Sequence, residues 1–337
     1  MYKITLSPSG KEFNCLPGET LLESAQRAGI SLEYGCRNAA CGACKGRLLS
    51  GRIHYKDPEA VNHKKLGDQE IFYCAAIPES DLCIDSTETG ILAQEALKTP
   101  CKVMQKRILA QDVVQLRLKL PDAVRVPFHA GQYLDIHLAD DQVRSFSIAN
   151  APHQDDDIEL HIRHVEGGSY TDYLFNKLNE KDILRIELPL GTFFLREDAD
   201  RPVILVGGGT GFAPLKAIVE HAFHIGFDQP IHLFWGVRAK QDLYMPDLPL
   251  DWARRHPHFH YTPVLSSPAA TDQWQGRTGF VHQAVLEDHP DLRAFDVYMS
   301  GPPVMIKAGR SAFHQAGLPQ DRIFSDAFEY NAHPEPA

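Results

Sequence analysis

The stretch Cys36-Arg37-Asn38-Ala39-Ala40-Cys41-Gly42-Ala43-Cys44 sets three thiols in the spacing C-x4-C-x2-C, and a lone Cys74 answers them downstream. Four thiolates so placed can hold an iron pair, and the spacing is that of a plant-type 2Fe-2S site. The residues between the cysteines are mostly small, so backbone amides can close on the sulfurs and stabilise a cluster's negative charge. Cys36, Cys41, Cys44 and Cys74 are therefore the candidate metal ligands. A structural zinc site is the competing reading. It favours paired C-x2-C halves or histidine ligands, whereas here one such pair stands with a single Cys74. Cys15, Cys83 and Cys101 read as ordinary buried residues.

Around this loop, 337 residues exceed the usual span of one core, so two or three domains are expected. Met1 runs directly into the alternation Tyr2, Ile4, Leu6 of an edge strand, without a signal-peptide pattern or an apolar run that would cross a bilayer. A cytoplasmic location with no membrane partner is expected, and the seven cysteines then read as reduced thiols and metal ligands rather than a disulfide framework. A net charge of -10, with no Lys/Arg-rich block, argues against a nucleic-acid partner. The acidic run Asp155, Asp156, Asp157 reads as a solvated loop. His256, His258 and His260 read as a loop entering a strand rather than a metal site, while His161 and His164 fall within the barrel segment described next with no assigned role.

Three segments follow from the patterning. In residues 1–90, short strands surround a helix start at Thr20, where Glu23 three positions on makes a capping box before Leu21, Leu22 and Ala25. Residues 91–99 read as a linker, with room for a short helical turn between Leu92 and Leu97. Residues 100–198 alternate apolar and polar (Val114, Leu116, Leu118, Leu120; Leu134, Ile136, Leu138), as antiparallel barrel or sandwich strands do. Residues 199–330 alternate buried strands with helices: Val203 to Val206 then Leu215 to Phe223, Ile231 to Trp235, and Val297 to Met299 before a helix from about Pro303. That order predicts a doubly wound parallel sheet. Residues 331–337 are left as a tail.

Arg144-Ser145-Phe146-Ser147 offers, at a strand end, a guanidinium for a phosphate, an aromatic face for a flat ring and a hydroxyl for a ring nitrogen. An arginine on an exposed strand beside a core phenylalanine would look the same. Gly167-Gly168-Ser169-Tyr170-Thr171, ahead of the helical face Leu174, Phe175, Leu178, brings bare amides to an anion, as a surface turn also would. Gly207-Gly208-Gly209-Thr210-Gly211-Phe212-Ala213-Pro214 directly follows a buried strand and lets backbone approach a dinucleotide pyrophosphate. It is not a P-loop, since no lysine follows the glycines, and it departs from G-x-G-x-x-G in its last glycine.

In order, these pieces and Ser300-Gly301-Pro302-Pro303 resemble the ferredoxin–NADP reductase superfamily over nearly the whole chain. More narrowly they resemble single-chain reductases with an N-terminal 2Fe-2S domain: reductase components of bacterial oxygenases and CDP-6-deoxy-3,4-glucoseen reductases. The resemblance implies a multidomain chain of a β-grasp ferredoxin domain, a central antiparallel β-barrel flavin domain and a C-terminal α/β doubly wound nucleotide-binding domain. It implies FAD, with Arg144 on its phosphate, Ser147 near flavin N5, and Gly167, Gly168, Ser169 and Thr171 at the pyrophosphate. Gly207 to Pro214 would bind NAD(P)H, with Ser300, Gly301 and Pro302 flanking the nicotinamide. Phe328 would approach the isoalloxazine or fill a core, and Arg238 would read a 2'-phosphate or stack on adenine; NADH is favoured over NADPH. Phe146 stands where tyrosine is frequent, and Ser300 where cysteine is frequent. Electrons would run from NAD(P)H through FAD and the cluster to a protein acceptor, a CDP-deoxysugar dehydrase or an oxygenase component. A free flavin reductase and a redox-sensing module without turnover remain as alternatives.

Overall fold

The computed structural model describes the chain except for residues 40, 60, 62–65, 87, 93, 139–142, 166–167 and 328–337. The chain forms two compact units: Met1–Leu97 with Pro189–Phe193, and Lys98–Leu188 with the chain from Phe194 onward. Among the described residues no helix is long and apolar enough to cross a membrane.

In the first unit β1 (Tyr2–Ser7), β2 (Glu12–Cys15), helix α1 (Leu21–Arg27), β3 (Ile30–Leu32), β4 (Lys45–Ser50), β5 (Ile53–Tyr55), β6 (Glu70–Phe72), β7 (Ala76–Pro78), β8 (Leu82–Asp85) and β9 (Glu88–Leu92) follow one another. The main sheet runs β2-β1-β8-β4-β6, with β1 and β8 parallel and the other neighbours antiparallel. This mixed sheet with one helix is the β-grasp pattern. Helix α1 starts where the sequence places it: Thr20 Oγ1 accepts the Glu23 amide at 3.2 Å, and Glu23 Oε2 accepts the Thr20 amide at 2.8 Å. Such a cap contributes about 1 kcal/mol. Leu21, Leu22 and Ala25 then face a core of Ile4, Leu6, Leu32, Phe72 and Ile84. Cys15 is buried in it, whereas Cys83 is only half-buried. Strand β9 pairs antiparallel with β3 and runs two residues into the segment read as a linker, the next strand starts at Leu97, and no helical turn lies among the described residues between them. Pairing with β3 decides this conformation, which a local reading that starts the linker at Ile91 does not capture.

Next along the chain come β10 (Leu97–Ala110), β11 (Val113–Lys119), β12 (Tyr133–His137), β13 (Val143–Ser147), β14 (Ile158–Arg163), the single turn α2 (Ser169–Asp172) and β15 (Ile183–Leu190). Their order is β13-β12-β15-β10-β11-β14. An antiparallel bridge from Ile148 to Leu160 brings the two end strands together, and this closes the sheet into a barrel. Val114, Leu116, Leu118, Leu134, Ile136 and Ile148 fill it, as the alternation requires.

The rest contains β16 (Val203–Gly208), α3 (Phe212–Ile225), β17 (Ile231–Val237), α4 (Asp247–Arg255), β18 (Phe259–Leu265), β19 (Arg277–Thr278), α5 (Val281–Asp288), β20 (Asp296–Gly301), α6 (Pro303–Gln315) and β21 (Ile323–Ala327). The sheet order is β19-β18-β17-β16-β20-β21, and every neighbouring pair is parallel. The chain moves outward from β16 to β19 and then returns to β20 on the other side of β16. The crevice at that reversal, beyond the carboxyl ends of β16 and β20, is where such sheets bind ligands.

Candidate functional site

The cysteine loop folds back on itself because Arg37, Ala39 and Gly42 adopt φ of 61°, 60° and 88°. A non-glycine residue in that region costs about 1–2 kcal/mol, so the two non-glycines mark a loop held to a purpose. The Cys36 amide donates to Cys41 Sγ at 3.3 Å and the Cys41 amide to Cys36 Sγ at 3.2 Å. Cys44 Sγ stands 3.1 Å from Cys74 Sγ, which accepts the Ala39 amide at 3.2 Å. The sulfurs thus form two pairs, Cys36 with Cys41 and Cys44 with Cys74. Two pairs suit two irons with two thiolates each. Among the described residues no three His, Cys, Asp or Glu gather around a single ion. The partner sulfur first, and burial second, push the Cys41 and Cys44 thiols up. Positive metal charge among the sulfurs is what would hold them ionised.

On β13, Arg144 stands opposite Ile136 and Ser147 opposite Tyr133. The Arg144 guanidinium lies 5.5 Å from the centre of the Tyr170 ring, and the Phe146 ring 6.1 Å from it. Tyr170 donates its hydroxyl to the Ile136 carbonyl at 3.1 Å. The tetrapeptide and the glycine turn, read separately in sequence, thus meet at Tyr170. Ser145 Oγ donates to Asp135, and Thr171 Oγ1 closes the turn by accepting the Val165 amide at 3.0 Å beside the Gly168 carbonyl. Ser169 begins α2. Gly167 and Phe328 lie outside the described residues.

Ser147 Oγ donates to Asp326 Oδ2 at 2.9 Å across 179 residues. Asp326 comes from β21, which pairs with β20 so that Ser300 faces Asp326, while β16 sets Gly207 opposite Ser300. Burial pushes the Asp326 carboxyl up to about 6, and the Ser147 hydroxyl pulls only part of this back. Ser300 is fully buried, and among the described residues its Oγ has no partner. A polar atom so placed fits a site that a polar ligand edge completes.

The glycine loop shows the same fit. A side chain at Gly211 would place Cβ 2.0 Å from the Ser300 carbonyl oxygen, and Gly301, at φ 150°, has Gly208 backbone 3.0 Å from its Cβ position. Bare backbone is therefore required where β16 and β20 meet. Gly209 and Thr210 form a 3-10 turn with Gly211, and Pro214 sits in the first turn of α3. Gly208 closes β16, and Pro302 stands just before α6. Arg163, at the end of β14, was not among the residues singled out by the sequence. Its Nη1 lies 2.9 Å from the Cβ position of Gly209, and its Nη2 is buried without a partner among the described residues. Asp112 Oδ2 is 3.0 Å from Nε but off the hydrogen-bond direction. A lone cation preceding the Gly-Gly turn was the available signal. Arg238 is exposed at the end of β17, its carbonyl accepting the Ser267 amide at 2.9 Å.

Family models match the chain in three consecutive pieces: a 2Fe-2S iron-sulfur cluster binding domain over residues 4–79, an oxidoreductase FAD-binding domain over 100–195 and an oxidoreductase NAD-binding domain over 205–311. The chain is 40% identical to the CDP-6-deoxy-L-threo-D-glycero-4-hexulose-3-dehydrase reductase of Yersinia pestis, over 96% of this chain and 98% of that one. It is 35% identical to reductase component 1 of a Comamonas terephthalate 1,2-dioxygenase, over 97% of both. The crystal structure of the Amycolatopsis cytochrome P450 reductase GcoB is similar at a TM-score of 0.80 and 32% identity, covering 97% of this chain and 99% of that one. With these likenesses over its full span, the chain belongs to the single-chain iron–sulfur flavoprotein reductases of the ferredoxin–NADP reductase type: it is an NAD(P)H-dependent oxidoreductase with 2Fe-2S, FAD and NAD domains.

Proposed function

We propose that this reductase passes electrons from NADH through FAD and the 2Fe-2S cluster to a protein acceptor in the cytoplasm, and that the acceptor is a dehydrase acting on a CDP-deoxysugar. The observation that carries the acceptor is the higher identity to the Yersinia dehydrase reductase, 40%, than to the Comamonas dioxygenase component, 35%. An oxygenase component is the second reading, supported by that second likeness. When bound, the three groups convert a two-electron donor into single-electron deliveries.

The chain's own residues would divide that work as follows. Arg144 and the turn at Gly168, Ser169 and Thr171 hold the phosphate end of FAD. Ser147, whose hydroxyl proton goes to Asp326, would turn its hydroxyl oxygen toward the flavin ring nitrogen N5. Gly207, Gly208, Gly209, Thr210 and Gly211 accept the dinucleotide backbone, Arg163 supplies a cation to its pyrophosphate, and Arg238 meets the adenosine end. Ser300, with Gly301 and Pro302, borders the nicotinamide. Cys36, Cys41, Cys44 and Cys74 hold the irons. Residues 1–90, 100–198 and 199–330 are the domains we assign to cluster, flavin and nucleotide, with 91–99 between the first two.

Anaerobic mixing with NADH and either purified acceptor type tests this. Faster reoxidation by the dehydrase supports the first reading, and faster reoxidation by an oxygenase component replaces it with the second.

A further inference from the structure

Where the barrel meets the nucleotide-binding sheet, charges are buried that an apolar seam would avoid. Lys216, two residues past Pro214 on α3, is 5% exposed, and Glu159 on β14 is 3% exposed. Lys216 Nζ donates to the Ala149 carbonyl at 3.1 Å and to Glu220 Oε2 at 3.0 Å, and lies 3.6 Å from Glu159 Oε2. Glu159 also accepts Gln115 Nε2 at 2.8 Å and Arg117 at 3.3 Å. Burial alone would raise the Glu159 carboxyl, but the His161 hydrogen bond and the Lys216 charge outweigh it and hold the group far below its ordinary range.

Glu159 is thus ionised and accepts from His161 Nε2 at 2.8 Å. Burial lowers the His161 pKa, so the ring is neutral with its proton on Nε2, and Nδ1 accepts the Tyr244 hydroxyl at 3.1 Å. The Tyr244 ring meets Trp235 edge-on at 5.1 Å, and Trp235 Nε1 donates to the Gly209 carbonyl at 2.9 Å while stacking on Phe212 at 4.0 Å. The glycine loop is therefore tied to the barrel on both sides. Lys216 reaches Ala149, two residues past Ser147, and the Glu159-His161-Tyr244-Trp235 series reaches Gly209. Replacing a buried ion pair by apolar residues is often neutral or stabilising, so bulk stability does not account for this arrangement.

We propose that Lys216 and Glu159 are positioning residues for the two-electron step: they fix the distance between the glycine loop and the Ser147 strand, and so the approach of nucleotide to flavin. This rests on the reading that β13 carries the flavin and Gly207–Gly211 the nucleotide.

Lys216→Met, Lys216→Arg and Glu159→Gln test it, the last keeping the shape of its side chain should Lys216→Met not fold. In the flavin-free full-length chain, amide exchange over 208–216 and 148–161 rises about tenfold in Lys216→Met and Glu159→Gln, while β18 keeps its protection. In the flavin-loaded chain, bleaching at saturating NADH slows about ten- to a hundredfold, since small misplacements at a reacting pair cost that much. The NADH dissociation constant moves less than about threefold, and Lys216→Arg recovers most of the rate. Unchanged exchange with bleaching within about twofold of wild type overturns the proposal, as does a rate loss matched by an equal loss of NADH affinity. A wild-type flavin that NADH does not bleach overturns the functional reading instead, and the exchange arm still decides whether the loop is held.

Discussion

Ser147 and Asp326, 179 residues apart, share a hydrogen bond of 2.9 Å that joins the barrel's β13 to the last strand of the nucleotide-binding sheet. Asp326 sets the first prediction, because burial, against the pull of the Ser147 hydroxyl, pushes the carboxyl up to about 6 from an ordinary 3.8. A group raised on folding contributes stability fully below its unfolded value and loses it as pH rises through the folded one. Wild type should therefore lose up to about 3 kcal/mol from this group between pH 4 and pH 7. Asp326→Asn removes that dependence. Thermal unfolding of the flavin-free chain should show the variant gaining on wild type as pH rises over this window; an offset constant with pH would exclude it.

Gly211→Ala should fail in a specific way. Its Cβ would lie 2.0 Å from the Ser300 carbonyl, a backbone atom with nowhere to go. The strand junction must shift, at a cost of about 1–3 kcal/mol. NADH-dependent flavin reduction should fall far more than flavin binding does, as measured by bleaching rate against flavin content. Equal losses in both would mean that the loop does not serve the nucleotide.

Ser300→Cys should raise the melting temperature. The Ser300 hydroxyl is fully buried and has no partner among the described residues, and an unsatisfied group of this kind costs about 1–3 kcal/mol. Cysteine demands less hydrogen bonding and fits nearly the same space. Calorimetry on the flavin-free chain checks it, and a lower melting temperature would show that the hydroxyl is satisfied in solution.

Arg163→Ala should raise the KM for NADH about tenfold or more, the effect of a charge-assisted hydrogen bond worth about 1.5–3 kcal/mol, and leave flavin content unchanged. Loss of flavin with an unchanged KM would assign the guanidinium to the barrel's own ligand.

How far the sequence carried depended on the range of each cause. The cysteine spacing was legible because Cys36, Cys41 and Cys44 act within one loop, and Val203 to Pro214 because a buried strand running into glycines is a local pattern. Thr20 and Glu23 announced α1 for the same reason. Arg163 and Lys216 were not legible as site residues, nor was the pairing of Asp326 with Ser147, since each draws its meaning from a partner brought close by folding: Gly209, Ala149 and Ser147. His161 had no assignable role until Glu159 and Tyr244 stood on either side of its ring. That β9 continues through Ile91 and Leu92 was not legible, because its conformation comes from β3.

The central claim is that electrons leave through the sulfurs of Cys36, Cys41, Cys44 and Cys74. Anaerobic stopped-flow mixing of wild type and Cys74→Ser with NADH, followed by cytochrome c, tests it most directly. Wild type should bleach both flavin and iron–sulfur absorbance and reduce cytochrome c, while Cys74→Ser should bleach its flavin at an unchanged rate and lose cytochrome c reduction. Cytochrome c reduced at the wild-type rate by Cys74→Ser would contradict the account.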